Sequence, residues 1–203
     1  IANDANFGSL NVVIQSETIA INSDASISST GDLTLTASHD HTADQTVSSE
    51  TTDTATHSVL INIDGDITVD DFTATATVTD DSDVTIDGAA YTRDIDNSAS
   101  IDVASGVTVT ASGDVSFASS VTGQITVDTA SGSGTGSFSN TGNDTAITHA
   151  HAGSVFDVEG DLTLTASNSL DVTISDTATS SDDLSKARLD GTQTTQAILG
   201  DDS

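Results

Sequence analysis

The octapeptide GDLTLTAS occurs twice in this chain, at residues 31–38 and again at 160–167. Shorter versions of its Gly-Asp-strand pattern begin at Gly65 and Gly113, and a version without the Asp begins at Gly106. A local unit that returns along a chain predicts an architecture in which similar pieces stack on one another. The repeat therefore constrains the shape of the protein before it indicates any chemistry.

Apolar and polar residues alternate through the segments around these units, for example at 10–14, 59–63 and 170–174. Alternation of this kind, with many β-branched residues, is typical of half-buried β-strands. Only residues 181–189 carry a helical pattern, with capping Ser and Asp before Leu, Lys, Ala and Arg. We therefore predict an all-β fold, with one repetitive β domain over 1–180 and a short helical or irregular C-terminal segment over 181–203.

Short strands separated by one or two turn residues favour a parallel β-helix (β-solenoid), for which we expect roughly 20 to 30 residues per coil and about eight coils. Each Gly-Asp pair would form a corner, with Gly at positive φ and Asp accepting backbone N–H groups. Leu33, Leu35, Leu162 and Leu164 would then face the core, with the intervening threonines outward.

An antiparallel β-sandwich is the alternative fold class. The markers Gly31, Gly65, Gly113 and Gly160 are spaced by 34, 48 and 47 residues, which is uneven for a regular coil. Residues 37–57 also offer only Val47 and alanines to a core. Long variable stretches between short strands are typical of a sandwich as well.

The chain carries 32 acidic and 3 basic residues, for a formal net charge of -29. Such a charge repels phosphate backbones and anionic headgroups, which argues against nucleic-acid partners and membrane insertion. Cys, Met, Pro and Trp are absent, and Tyr91 is the only tyrosine. With no Gly-x-Ser-x-Gly elbow and almost no aromatic platform for sugars, we do not expect an enzyme. The absence of an initiator Met predicts a piece of a longer polypeptide.

Two groups of residues are candidate metal ligands. The His-x-His pairs place two imidazoles on one strand face, where Asp40 and Asp44 could add oxygens for Zn or Cu. Dense aspartates could instead bind calcium, which takes six to eight oxygen ligands, although the EF-hand pattern is absent. The predicted histidine ligands are His39, His41, His149 and His151. The predicted calcium ligands are Asp64, Asp66, Asp80, Asp81 and Asp83.

The Gly-Asp-Leu-Thr-Leu-Thr-Ala-Ser units and the small polar runs that follow them resemble the repeats of filamentous-haemagglutinin-like giant bacterial surface adhesins. The resemblance implies a parallel β-helix, secretion to the cell surface, fibre formation and adhesion. We therefore expect a structural or adhesive segment that associates with itself, with neighbouring repeats of its polypeptide, or with surface glycans. Two other functions stay open, a β-sandwich subunit of an extracellular filament or surface layer, and a calcium- or carbohydrate-binding module.

Overall fold

A computed structural model describes residues 1–129, 135–175 and 184–200 of the chain. These residues form no helix, so none crosses a membrane as a long apolar helix. Their strands, in chain order, are β1 (Ala5–Asn6), β2 (Val12–Ser16), β3 (Thr18–Ile21), β4 (Ser26–Ser28), β5 (Leu33–Val47), β6 (Thr51–Ile63), β7 (Asp66–Val69), β8 (Phe72–Ile86), β9 (Ala90–Val103), β10 (Thr108–Ala111), β11 (Val115–Thr129), β12 (Gly136–Asn140), β13 (Asp144–Ala150), β14 (Val155–Val158), β15 (Leu162–Ser175), β16 (Leu184–Leu189) and β17 (Gln193–Leu199).

The strands form three parallel sheets. Sheet A contains the short strands β1, β4, β7, β10 and β14, and sheet B contains β2, β5, β8, β11 and β15. Sheet C contains β3, β6 and β9, followed by β12 and β13 and then by β16 and β17. The chain visits A, B and C in turn, so each passage through the three sheets is one coil. Every strand pair among the described residues is parallel, which is consistent with a β-solenoid and rules out the antiparallel sandwich.

The coils are longer and fewer than the sequence predicts. On sheet B, Leu33 pairs with Phe72, 39 residues later, and Phe72 pairs with Val115, 43 residues later. Val115 pairs in turn with Leu162, 47 residues later, whereas Val12 of the first coil is only 21 residues from Leu33. The described residues therefore form five coils. The prediction of 20 to 30 residues per coil is wrong because strands of sheets B and C reach 13 to 15 residues.

The repeated motif marks two different corners, which explains its uneven spacing. Gly31, Gly113 and Gly160 stand at the corner from sheet A to sheet B, where Asp70 and Asp71 replace the Gly-Asp pair in the third coil. Gly65 and Gly106 stand at the corner from C to A. Within the motif the predicted facing is confirmed: Leu33 and Leu35 are fully buried, and Thr34 between them faces outward.

The corner glycines are required mostly by close approach of neighbouring coils. Positive φ occurs at Gly106 but not at Gly31, Gly65, Gly113 or Gly160, so the predicted role of positive φ is wrong for those four. A Cβ on Gly65 would lie 2.2 Å from the backbone oxygen of Ala25 and 2.6 Å from that of Asn22. Only a residue without a side chain fits between stacked backbones at that distance.

Side chains at the A-to-B corner tie one coil to the next. Asp71 Oδ1 accepts a hydrogen bond from the backbone N–H of Asp114 at 2.7 Å, and Asp114 Oδ1 accepts one from Asp161 N–H at 2.9 Å. In the first coils Asn11 Oδ1 accepts from Asp32 N–H at 3.1 Å. The predicted acceptance of backbone N–H groups is confirmed, but each acceptor serves the following coil.

Two apolar clusters fill the space inside the coils. The larger lies where all three sheets meet and contains columns such as Leu33, Phe72 and Val115. The smaller lies at the far end of sheets B and C, next to the turns that join them, and includes Ile86, Ile125 and Phe138. Polar residues separate the clusters along the long strands.

The first coil is too short to cover the second, which explains the polar stretch at 37–57. β2 pairs with residues 33–37 and β3 with residues 60–63, so neither reaches the far half of β5 and β6. Inward-facing residues there, such as His41 and Gln45, are half-buried at the open side of the coil. Polar side chains are suited to a position that water reaches.

The prediction of a helix over 181–189 is wrong for Leu184–Leu189, which form β16; residues 181–183 lie outside the described residues. β16 pairs with β12, and β17 pairs with β13, so both continue sheet C. A helical pattern in so short a segment is a weak preference, and a neighbouring strand with unpaired N–H and C=O groups overrides it.

We predict that Gly65→Ala lowers the free energy of unfolding by about 1–3 kcal/mol, because the added methyl overlaps backbone that cannot move aside. Thr68→Ala is the control, since Thr68 is exposed on the strand that follows, and it should change stability by less than about 0.5 kcal/mol. Chemical denaturation measures both. Equal stability of the two variants would contradict the close-approach explanation.

Candidate functional site

A buried polar network lies between the two apolar clusters. Asp80 on β8 and Arg93 on β9 form a salt bridge, and their side chains are 0% and 3% exposed. Asn97 Nδ2 donates to Asp80 Oδ2 at 3.0 Å and to Asp144 Oδ1 at 2.9 Å. Arg93 Nη1 also donates to Asn140 Oδ1 at 3.0 Å. The network therefore joins sheet B to sheet C and the third coil to the fourth.

Burial dominates the electrostatics of this network. It lowers the pKa of Arg93, against the attraction of Asp144 and Asp53. It raises the pKa of Asp144, although the Asn97 hydrogen bond and the charge of Arg93 oppose that rise. A guanidinium keeps its charge in proteins, so Arg93 is a buried cation and needs the Asp80 carboxylate.

Three histidines stack inside the second coil. His39 and His41 share the inward face of β5, as the sequence predicts, and His57 of β6 lies against both. The ring centroid of His57 lies 4.6 Å from that of His39 and 4.4 Å from that of His41. Burial lowers the pKa of His41 and of His57, with smaller contributions in the same direction from Arg93 and the other rings. The rings stack face to face, and these histidines are not among the groups whose ligand atoms converge on one point.

The aspartates predicted as calcium ligands are separated. Asp80 points inward, while Asp81 and Asp83 point outward from the same strand. Asp64 Oδ2 accepts a hydrogen bond from Asn62 at 2.8 Å, and Asp66 Oδ1 accepts one from Thr108 N–H at 2.8 Å. Three of the five, Asp64, Asp66 and Asp80, therefore accept structural hydrogen bonds, and calcium binding by these residues stays a prediction.

A second cluster lies on the outer face of sheet C, at its corner with sheet A. His151 Nε2 is 3.0 Å from Asp102 Oδ1, and His149 Nδ1 is 3.9 Å from the same oxygen. The two imidazole centroids are 3.9 Å apart. Among the described residues, these three are the one group of His, Asp or Glu side chains whose ligand atoms all lie within 4.8 Å of one another.

Sequence reasoning identified both histidines of this cluster but not Asp102. The signal was present, because Gly113 and Gly160 are 47 residues apart and Asp102 is 47 residues before His149. If that spacing is taken as the length of one coil, it predicts that Asp102 and His149 lie next to each other in neighbouring coils. The histidine pairs themselves differ, since His39 and His41 face inward while His149 faces outward.

The outer face of sheet B carries stacked hydroxyl groups. Thr34, Thr73, Ser116 and Thr163 form one column through four coils. In another column, Thr77 Oγ1 and Ser120 Oγ are 3.2 Å apart. Aspartates occupy the same face nearer the turns to sheet C, where Asp44 stacks on Asp83. From the second coil onward this outer face is therefore mostly polar, and it is acidic at one side.

We predict that Asp80→Ala lowers the free energy of unfolding by about 3–5 kcal/mol, because it leaves the Arg93 charge buried and unpaired. The control is Asp81→Ala, one residue away on the exposed face, for which we expect a change within about 0.5 kcal/mol. Urea denaturation of both variants tests this. A mild effect of Asp80→Ala would show that water reaches Arg93.

We also predict that stability falls as the pH drops below 6.5, the ordinary pKa of histidine. A depressed pKa in the folded state favours the neutral imidazole, so His41 and His57 stabilise the fold above pH 6.5 and lose that contribution as the pH falls through their folded pKa values. The double variant His41→Asn, His57→Asn should have a flatter profile of melting temperature between about pH 7.5 and pH 5.5. An unchanged slope in the double variant would contradict the assignment of this pH dependence to His41 and His57.

Comparisons of the chain with protein-family models, with curated proteins and with solved structures found no match. The function proposed below therefore rests on the coil geometry and on the placement of charge and hydroxyl groups.

Proposed function

We propose that the chain is a structural and adhesive segment of a large secreted or cell-surface bacterial protein, in which it forms a stiff β-solenoid rod. Support comes from the continuous ladders, since each coil hydrogen-bonds to the next through all three sheets. A stack held in this way resists bending, because every strand of an inner coil is fixed to an equivalent strand above and below it.

The surface of the rod is polar and charged, as expected of a surface that is exposed to water and presented to partners. Its net charge of -29 keeps copies apart laterally, and the hydroxyl columns on sheet B present a regular polar face. A shallow groove along the outer face of sheet A is lined by further hydroxyls, including those of Thr30, Thr68 and Thr110. These hydroxyls could donate and accept hydrogen bonds with surface glycans, one of the partners expected from the sequence.

The single observation that carries the proposal is the exposure of core-type side chains in the last coil. Leu162 and Leu164 are half-buried, whereas their equivalents Leu33 and Leu35 are fully buried in the second coil. Ile174 is 40% exposed, although Val127, on which it stacks, is fully buried. β15 also presents one edge without a strand partner among the described residues. An apolar end with an unpaired edge favours addition of another strand layer.

We propose that a further strand layer covers this end, supplied by neighbouring repeats of the same polypeptide or by a second copy of the chain. Association would pair the edge of β15 with a strand of the partner and bury the exposed leucine and isoleucine side chains. The opposite end is a less favourable contact surface. The short first coil leaves the far half of the second coil uncovered there, and polar residues such as His41 and Gln45 line the step between them. Pairing of two C-terminal ends would bury apolar side chains of both copies without that step.

We predict that the wild-type chain self-associates with rising concentration in sedimentation velocity experiments. Ile174→Asp should weaken this at least about tenfold, because a charge at an apolar contact costs more than 1.4 kcal/mol. Thr173→Asp is the matched control, since it adds the same charge one residue away on the outer face. Electron microscopy would show whether the associated species are pairs or filaments.

A chain that stays monomeric at every concentration would contradict end-to-end association. Equal weakening by both variants would mean that added charge alone, and not loss of the apolar contact, reduces association. Far-UV circular dichroism of each variant checks that the coils remain folded.

A further inference from the structure

We propose that Asp102, His149 and His151 bind a zinc ion that fastens the third coil to the fourth. The proposal concerns the outer corner of sheets C and A, away from the end of the rod, and it is independent of the function proposed above. It rests on ligand geometry, on the chemistry of the donors and on the fixed backbone around them.

Strand register places the first two ligands together. β9 pairs with β13 so that Asp102 stacks directly on His149, with both side chains on the outer face of sheet C. His151 follows two residues later, just beyond the end of β13 at Ala150. The ligands therefore come from two coils that are adjacent in space but 47 residues apart in the chain.

Backbone hydrogen bonds hold the third ligand in place. His151 N–H donates to the carbonyl oxygen of Val103 at 2.9 Å, which ties the residue to the third coil. The His151 carbonyl accepts from Ser154 N–H at 3.1 Å and from Ser154 Oγ at 2.8 Å, which closes the turn. A ligand on a closed turn loses little conformational freedom when a metal binds.

The distances between ligand atoms suit a tetrahedral zinc. Zinc bonds of ~2.0–2.2 Å place neighbouring ligand atoms ~3.3–3.6 Å apart. The Asp102 Oδ1 distances to His151 Nε2 and to His149 Nδ1, 3.0 Å and 3.9 Å, lie on either side of that range. Small side-chain rotations would equalise them, with no change in the strands.

The donor set selects the class of metal. Two imidazoles and one carboxylate suit zinc and similar transition ions, whereas calcium takes oxygen ligands only. The side chains are 19% to 35% exposed, so an ion can enter and water can complete its coordination. Ions of the zinc class, and not calcium, are therefore the expected occupants.

The test is titration of the chain, without a polyhistidine tag, with zinc chloride in isothermal calorimetry. We expect one zinc per chain, and we expect Asp102→Asn to weaken binding at least about tenfold. Zinc at about a hundred times its dissociation constant should raise the melting temperature by ~5 °C or more, and EDTA should reverse the rise. A large excess of calcium should not displace the zinc.

The control variant is His39→Asn, which removes a histidine of the inner stack and should bind zinc as the wild type does. Equal weakening by His39→Asn and Asp102→Asn, or a stoichiometry that does not fall in the triple variant Asp102→Asn, His149→Asn, His151→Asn, would overturn the proposal. If circular dichroism shows that Asp102→Asn misfolds, His151→Gln, beyond the end of the strand, replaces it as the decisive variant. No association step enters this experiment, so its outcome and that of the end-to-end test are separable.

Discussion

Parallel pairing in register is the constraint on which the rest of this structure depends. Since each residue of a coil lies on its equivalent in the next, every position becomes a column, and a residue type must be compatible with its neighbours above and below. Columns of Leu, Phe and Val form the core, as Leu33, Phe72 and Val115 show. Columns of Asp form the corner, where Asp71 and Asp114 each bind the following backbone. Small residues are required wherever two backbones meet.

The network around Arg93 makes this register specific. An apolar column tolerates a shift of two residues along a strand, because another apolar residue takes the vacated place. A shift of β9 against its ladder partners β12 and β13 would separate Arg93 from Asn140 and Asn97 from Asp144, and the buried polar groups left without partners make such a shift far more costly. The polar layer between two apolar clusters therefore opposes slippage of the long strands, while the clusters supply most of the hydrophobic stabilisation.

Much of this arrangement was predictable, because alternation along a strand is a local property. The inward leucines of the octapeptide, the outward threonines and the shared face of His39 and His41 all follow from a period of two. Coil length was not predictable in the same way, since the same Gly-Asp signal marks two kinds of corner. Asp102 was missed because its neighbours come from another coil, and β16 was missed because its partner strand β12 overrides a weak helical preference. The polar stretch at 37–57, which favoured a sandwich, reflects instead a short neighbouring coil.

The corners vary in length, while the strands of sheet B keep 14 or 15 residues from the second coil to the fifth. The corner from C to A has two residues at 64–65 but four at 22–25, at 104–107 and at 151–154. A duplicated coil can therefore acquire insertions at its corners without disturbing the pairing of its strands. Insertions at such corners can add surface loops during evolution. A peptide could be grafted there as well, with little loss of stability in the stacked strands.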